Sequence, residues 1–220
     1  MTHPHTATNS IETVADLLGQ LGGVSPARMR FRPLPGTATE ADVLDVRQRH
    51  GLLCELVEGV LVEKLMGFRE SFLTIALSAV LWGFVRTRNL GLVTGADGML
   101  RLAPGLVRIP DVAFISWQRL PERRVPTDPI PGLVPDLVVE VLSEGNTAAE
   151  MDRKRHEYFT AGVQLAWFVD PVARTVEVYT AADQSTLLGA EQTLDGGAVL
   201  AGFSLPLAEL FAELDRQGVA

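Results

Sequence analysis

The sequence contains a single cysteine, Cys54, among its 220 residues. One cysteine cannot form a disulfide within the chain, and no Cys and His pattern indicates structural zinc or thiol catalysis. The first ten residues lack the basic and apolar regions of a secretory signal. We expect them to form a disordered tail in which His3 and His5 are solvated. These absences together predict a protein of the reducing cytoplasm.

The chain also lacks a long uninterrupted apolar run. The stretch FLTIALSAVLWGFV includes Thr74 and Ser78 and is shorter than the ~18 residues that span a bilayer, so no membrane helix is predicted. No phosphate-binding glycine loop is present, which argues against a nucleotide cofactor. A formal net charge of -8 argues against a protein that coats nucleic acid non-specifically. It leaves open a nucleic-acid enzyme with a local basic patch.

The length and a hydrophobic content of 47% suit one folded domain. Residues 1–30 are predicted to be a disordered start followed by a short helix with Ser10 as a candidate N-cap. Residues 31–220 form the main domain, in which a helix is predicted between the capping residue Thr39 and the stop Gly51. A hairpin that turns at Glu58 and Gly59 follows, and then a long apolar helix.

The second half of the chain alternates strands with one further long helix. Strands are predicted around residues 91–102, 107–116 and 137–143, with a proline-rich loop before the last of these. Thr147 and Glu150 have the spacing of a capping box for a helix that ends at Gly162. A hairpin over residues 163–180 and a short C-terminal amphipathic helix complete an α/β domain.

Two of the predicted strands each carry one carboxylate among apolar residues, Asp111 in VRIPDVAFIS and Glu140 in PDLVVEVLS. Alternation leaves both faces of the second strand apolar around Glu140, which is typical of a strand covered on both sides. An unpaired carboxylate there would cost several kcal/mol of hydration. Carboxylates on neighbouring strands could converge on Mg²⁺, which takes one or two of them together with water and phosphate oxygens.

A structural explanation of these carboxylates is the alternative. Asp111 could accept bonds from turn amides, and Glu140 could pair with Arg153 or Arg155 of the next helix. That helix also places Lys154 within its apolar stripe, where the lysine either extends to the surface or joins the carboxylates. Two carboxylates and a lysine together are typical of a phosphoryl-transfer site.

These residues resemble the PD-(D/E)XK nuclease superfamily, and specifically the Uma-two family of restriction-endonuclease-like proteins. The resemblance runs from about Cys54 to Phe211 and includes CELVEGVLVE, PDLVVEVLS and KRHEYFTAGV. It implies a mixed β-sheet core flanked by helices, Mg²⁺ or Mn²⁺ held by Asp111 and Glu140, and catalytic roles for both and for Lys154. The superfamily pattern has lysine two residues after the glutamate, where this chain has Leu142, so the resemblance assigns the lysine to the next helix.

Other charged residues could complete such a site. Glu55 and Glu70 lie where folds of this kind often add a glutamate, although each also fits an ordinary half-exposed charge. Family members often carry histidine near the position of Glu70. Arg153, Arg155 and His156 form a basic helix face that is either simply solvated or available to phosphate.

Three functions remain open at this stage. The first is Mg²⁺-dependent hydrolysis of phosphodiester bonds in nucleic acid, with DNA as the expected substrate. The second is a catalytically silent protein that uses the nuclease fold for binding or assembly, which the acidic net charge favours. A glycosidase with Asp111 and Glu140 as its acid and base is the third, and three Trp and two Tyr supply few platforms for sugars. The oligomeric state is undecided, and a homodimer stays open.

Overall fold

The structure is a computed structural model that describes residues 11–218, so the expected disordered tail with His3, His5 and Ser10 lies outside the described residues. The helices are α1 (Val14–Gln20), α2 (Glu40–His50), α3 (Phe68–Thr87), α4 (Ala148–Ala161) and α5 (Leu207–Ala212). The strands are β1 (Cys54–Val57), β2 (Val60–Glu63), β3 (Gly91–Thr94), β4 (Leu100–Ala103), β5 (Leu106–Arg108), β6 (Val112–Ser116), β7 (Leu137–Val141), β8 (Leu165–Asp170), β9 (Thr175–Ala181), β10 (Gln184–Gly189), β11 (Thr193–Gly196) and β12 (Leu200–Pro206).

The strands form three sheets. A six-stranded mixed sheet has the order β10-β9-β8-β7-β6-β3, and a four-stranded antiparallel sheet has the order β2-β1-β5-β4. Strands β11 and β12 pair with each other. Within the six-stranded sheet only β7 and β8 run parallel, and α4 is the crossover helix that a parallel pair requires.

The two faces of the six-stranded sheet are covered by different helices. On one face the apolar side chains of β6, β7 and β8 pack with α3 and α5, as in the buried cluster of Leu77, Trp167 and Phe211. On the other face Ala113, Val138 and Ala166 pack beneath α4. Period-two alternation along β7 therefore sends its odd-numbered residues toward α3 and its even-numbered residues toward α4.

The helix boundaries follow local capping chemistry. In α2 the Asp42 carboxylate accepts a bond from the backbone N–H of Thr39 at 2.8 Å, and Gly51 ends the helix in the left-handed conformation, both as predicted. Helix α1 begins at Val14 behind Thr13, where the side chain of Asp16 closes a capping box. The assignment of Ser10 as its N-cap is therefore wrong, because Asp16 stands three residues after Thr13 and satisfies the free N–H groups there.

Helix α3 is longer than the apolar run that the sequence suggested. It has 20 residues, and by length and composition alone it is apolar enough to cross a membrane. Leu73, Leu77, Leu81 and Val85 follow one another at intervals of four residues and are buried in the core. One face of the helix therefore packs in the core of the protein, while its opposite face is exposed.

The N-terminal segment packs on the main domain. Leu17, Leu21 and Val24 form a cluster with residues of the β1–β2 hairpin. Arg28 makes two bonds of 2.8 Å to the buried carboxylate of Glu150 in the first turn of α4. The predicted capping box of α4 is consequently only half made: Thr147 accepts from the Glu150 N–H, but the Glu150 side chain binds Arg28 instead.

Candidate functional site

Asp111 and Glu140 face the same side of the six-stranded sheet. Val112 lies opposite Val139 in the antiparallel register of β6 and β7, and by continuation Asp111 comes opposite Glu140. Alternation places both with Val138, on the face that α4 covers. They are 3% and 4% exposed. The structure thus brings together the two carboxylates that the sequence singled out.

Lys154 of α4 reaches these carboxylates from above the sheet. Its side chain is 4% exposed, and its Nζ lies 3.2 Å from Glu140 Oε1 and 3.2 Å from Glu55 Oε1. The hydroxyl of Tyr158, one turn further along α4, donates to Glu140. The alternative in which Lys154 extends to the surface is therefore wrong, and so is the pairing of Glu140 with a neighbouring arginine of α4.

Glu55 of β1 belongs to the same site. It is 1% exposed, its Oε2 accepts from Arg108 at 2.7 Å, and its Oε1 accepts from the backbone N–H of Ile109 at 3.1 Å. The interpretation of Glu55 as an ordinary half-exposed charge is therefore wrong. A buried carboxylate at this position is retained because Arg108 and Lys154 compensate its charge.

Lys64, which directly follows β2, supplies the cation nearest to Asp111. Its Nζ lies 2.7 Å from Asp111 Oδ1 and donates to the carbonyl oxygen of Ile109 at 2.5 Å. The other carboxylate oxygen, Asp111 Oδ2, accepts from the backbone N–H of Val141 at 2.6 Å. Asp111 therefore bonds to one backbone amide, as the structural alternative allowed, and to one lysine.

We call these six side chains the buried charge cluster: Glu55, Lys64, Arg108, Asp111, Glu140 and Lys154. Three carry a negative charge and three a positive charge, so these six are neutral as a set when all are ionised. Arg108 also pairs with the partly exposed Glu157 at the edge of the cluster. The cluster lies where the chain passes from one sheet to the other. Arg108 ends β5 of the four-stranded sheet, and Asp111 immediately precedes β6 of the six-stranded sheet. Pro110 lies between them and has no backbone N–H, so no donor is left unbonded where the chain changes sheet.

Burial and pairing set the pKa values of the cluster. Burial alone would raise the pKa of Glu55, but the charges of Lys154 and Arg108 hold it at about 2. For Glu140 burial is the larger influence, and together with the charge of Asp111 it raises the pKa despite the opposing effect of Lys154. Burial would lower the pKa of Lys154, yet Glu140 and Glu55 raise it above its ordinary value. Lys154 is accordingly an ammonium at neutral pH.

The remaining predicted residues lie outside this cluster. Glu70 and Arg155 line a cleft of about 1390 Å³ between the start of α3 and the start of α4. Arg153 pairs with Glu58 and Glu157. The Nδ1 of His156 contacts the backbone oxygen of Asp152 at 2.8 Å. Of the three basic candidates, only Arg155 faces the large cleft, where it stacks over the ring of Tyr179.

Sequence reasoning missed two members of the cluster, Arg108 and Lys64. Arg108 stands between Val107 and Ile109 in a buried strand, so the criterion that selected Glu140 would also have selected it. Lys64 follows the last residue of β2, and its position gave no comparable signal. Only the fold shows that the end of β2 lies beside the start of β6.

The donor set suits a hard divalent cation with few protein ligands. In the part of the chain that the structure describes, no three His, Cys, Asp or Glu side chains come together as metal ligands. The carboxylates of Asp111 and Glu140 meet the one or two that Mg²⁺ usually takes, which leaves water and phosphate to complete its shell. The oxygens of Asp111 and Ile109 already hold the cationic Nζ of Lys64. Glu140 already accepts from Lys154 and Tyr158. These residues therefore fit a metal ion when Lys64 leaves Asp111 and Glu140 binds the ion through a lone pair that those two donors do not use.

Comparisons with known proteins agree with this architecture. The profile of the Uma2 family, described as "Putative restriction endonuclease", matches residues 38–208. A crystal structure of "a putative nuclease belonging to DUF820" from Anabaena variabilis ATCC 29413 is similar with a TM-score of 0.67 and 20% identity, over 74% of this chain and 92% of that chain. No curated protein matches. The match to the structure confirms the predicted restriction-endonuclease-like fold, and with most of its length matched by the profile the chain belongs to the Uma2 family.

Proposed function

We propose that this protein is a metal-dependent endonuclease that hydrolyses phosphodiester bonds in DNA. Membership of a family described as "Putative restriction endonuclease" supports nuclease activity in general. The observation that carries the more specific proposal is the meeting of Asp111, Glu140 and Lys154. Two carboxylates, one immediately before β6 and one on β7, and one ammonium group, all buried, are arranged over a single face of the sheet.

In this proposal each residue has a distinct role. Asp111 and Glu140 hold Mg²⁺ or Mn²⁺. The ion, when bound, supplies positive charge beside the phosphate and lowers the pKa of a water ligand. Lys154 keeps its proton, because the adjacent carboxylates raise its pKa, so it acts as a positive donor and not as a general base. It orients the attacking water and offsets the negative charge that grows on the phosphate.

Supporting residues keep Lys154 in place. Glu55 forms a second ion pair with Lys154, with 3.2 Å between Glu55 Oε1 and the lysine Nζ, and Arg108 balances the charge of Glu55. Tyr158 donates to Glu140 and lies one turn from Lys154 on α4. These contacts fix the ammonium group with respect to the carboxylates, and such preorganisation is what makes a charged donor effective in a low-dielectric site.

A second function, a catalytically silent binding or assembly module, is favoured by one specific observation. The large cleft next to the site is acidic, with two arginines against five carboxylates along its lining: Arg69, Arg155, Glu70, Glu144, Asp152, Asp170 and Glu177. Such a lining repels a phosphate backbone unless cations accompany it. The ion pairs that Asp111 and Glu140 already make would suffice for a purely structural role.

Cleavage assays separate the two functions. Duplex, single-stranded and branched DNA, with RNA for comparison, are incubated with purified protein in Mg²⁺, Mn²⁺ or EDTA. The endonuclease proposal expects DNA products with either metal and none in EDTA. Isothermal titration calorimetry with each ion then tests whether metal binding depends on Asp111.

Matched variants exclude a contaminating nuclease. Asp111→Asn is expected to abolish cleavage and metal binding. Asp136→Asn is the control, because Asp136 is likewise a buried aspartate beside β7 but bonds to Arg119 and to the Ser116 N–H instead. Equal activity of Asp111→Asn and wild type, or no product and no bound metal with wild type, would leave the silent module as the function.

A further inference from the structure

Helix α3 carries more apolar surface than the rest of the chain covers. The most apolar 18 residues of this helix are only 28% buried within the protein. Phe68 is 90% exposed, Ile75 67% and Trp82 50%. Single exposed apolar residues are ordinary in soluble proteins, but a continuous apolar strip of this kind marks a contact site.

Six of the exposed residues of α3 follow a heptad pattern. Phe68, Phe72, Ile75, Ala79, Trp82 and Arg86 are all exposed, and they follow one another at intervals of 4, 3, 4, 3 and 4 residues. We call this set the α3 seam. An interval that averages 3.5 residues keeps a narrow strip facing one partner helix, as in a coiled coil. The core face of the same helix repeats every four residues from Leu73 to Val85, so the two faces are built for different partners.

The α3 seam is complementary to itself in the antiparallel direction. If the seams of two copies cross midway between Ile75 and Ala79, Phe72 lies opposite Trp82 of the partner subunit, which pairs two aromatic rings. Ile75 lies opposite Ala79 of the partner subunit, which sets a large side chain against a small one. Phe68 lies opposite Arg86 of the partner subunit, a pairing of ring and cation. Arg86 already lies 4.7 Å from the ring of Trp82 within the chain, which orients it along the seam.

The charges of α3 favour the same direction. No charged residue occurs from Ser71 to Val85, so nothing in the middle of the seam repels a second copy. Arg69 and Glu70 stand together at the start of the helix and balance each other, and Arg86 stands near its end. A parallel pair would set the Arg86 side chains of the two copies against each other, whereas an antiparallel pair separates them to opposite ends of the seam.

We propose that the α3 seam is the contact face of a homodimer in which two copies of α3 pack antiparallel about a two-fold axis that crosses the seam between Ile75 and Ala79. The four large side chains of the seam expose on the order of 500 Å² if each offers about 200 Å² when fully exposed. This area is below the ~800 Å² per partner of a standard interface. The dimer is therefore expected to assemble and dissociate reversibly at micromolar concentrations. The proposal does not depend on nuclease activity.

Analytical ultracentrifugation from about 1 to 100 µM tests the assembly. Wild type is expected to shift from monomer to dimer, and Ala79→Glu is expected to stay monomeric because it buries two unpaired carboxylates at the centre of the seam. Val172→Glu is the control, since Val172 is 76% exposed and lies outside α3. It should dimerise as wild type does. A monomeric wild type, or an Ala79→Glu variant that still dimerises, would overturn the proposal.

Cysteine cross-linking tests the direction. A mixture of Phe72→Cys and Trp82→Cys proteins is expected to form disulfide dimers on oxidation, whereas each variant alone is not, because identical positions lie about 15 Å apart along the axis. Dimers from each variant alone would instead indicate parallel packing. Flotation with phosphatidylcholine vesicles tests whether the seam binds a membrane surface instead. If wild type floats with the vesicles and stays monomeric, the seam is a membrane-binding surface and the dimer is refuted.

Discussion

Replacing Lys154 with methionine keeps the aliphatic stem but removes one positive charge from a buried site. The ammonium lies 3.2 Å from one oxygen each of Glu55 and Glu140, and Lys154 is 3% exposed. Breaking a buried pair by removing one partner costs about 3–5 kcal/mol. For a chain of this length 3 kcal/mol corresponds to a fall of about 6–12 °C in the melting temperature.

The loss is expected to depend on pH because Glu140 can take up a proton. Burial already raises the pKa of Glu140, and Lys154 opposes that rise, so the variant raises it further. A carboxyl group with a raised pKa is neutral over a wider range of pH, and a neutral Glu140 needs no cation. The free-energy difference between wild type and Lys154→Met should therefore be largest near pH 8 and become smaller as the pH falls through the raised pKa.

Urea unfolding of wild type and Lys154→Met at pH 8 and pH 5.5 measures this difference. The double variant Lys154→Met/Glu140→Gln removes both charges and should recover most of the lost stability. Arg49→Met is the surface control, because Arg49 pairs with Asp45 in an exposed i,i+4 pair worth less than about 1 kcal/mol. Equal unfolding midpoints for wild type and Lys154→Met at pH 8 would refute the assignment of Lys154 as a buried counter-charge. If the protein is a nuclease, cleavage by Lys154→Met should also fall about a hundredfold or more.

Three further outcomes are expected. Lys64→Met should lower stability without metal but bind Mn²⁺ about tenfold or more tightly by calorimetry, because it frees Asp111; unchanged affinity would mean that lysine and metal do not compete. The pKa of Glu55 is lowered to about 2, so its ionised form contributes on the order of 3 kcal/mol of stability. This stability is complete above pH 4.5 and is lost as the pH falls toward 2. The urea midpoint of Glu55→Gln should therefore depend less on pH between 4.5 and 2 than the midpoint of wild type. Deleting residues 1–10 should leave the urea midpoint unchanged. Deleting residues 1–29 should lower the free energy of unfolding by about 3–5 kcal/mol, because Glu150 is then buried without Arg28, while the metal affinity of the folded fraction stays the same. If the protein without residues 1–29 is as stable as wild type, the N-terminal segment is dispensable.

Much of the fold was accessible from sequence because it depends on local chemistry. The caps Thr39 and Gly51 end α2 as predicted, and the turn at Glu58 and Gly59 has positive φ at both residues, as a two-residue hairpin requires. The three C-terminal strands β10 to β12 were not predicted. They are half-exposed and two of them form a separate small sheet, so they lack the strong apolar pattern of the central strands.

The candidate site was only partly accessible for a different reason. An apolar strand that contains Glu140 states that a charge must be compensated, but it does not state which residue compensates it. The charge that compensates Glu140 is Lys154 of α4, which the sequence did single out. The other members of the cluster come from β1, β5 and the end of β2, which lie up to about ninety residues before Glu140, and the sequence did not identify Arg108 and Lys64 among them. The N-terminal boundary at residue 30 stays a prediction, although Arg28 on its far side contacts α4 directly.

The neutrality of the buried charge cluster constrains which substitutions can occur at these positions during evolution. A single substitution that adds or removes a charge here lowers the free energy of unfolding by about 3–5 kcal/mol. This is a large part of the ~5–15 kcal/mol that a domain typically has. Glu55 with Arg108, and Glu140 with Lys154, should therefore be inherited or lost as pairs. Lys64 is the exception under the proposed function, in which a divalent ion would take over its role beside Asp111. Relatives that lack this lysine would then have exchanged a covalently attached cation for one drawn from solution.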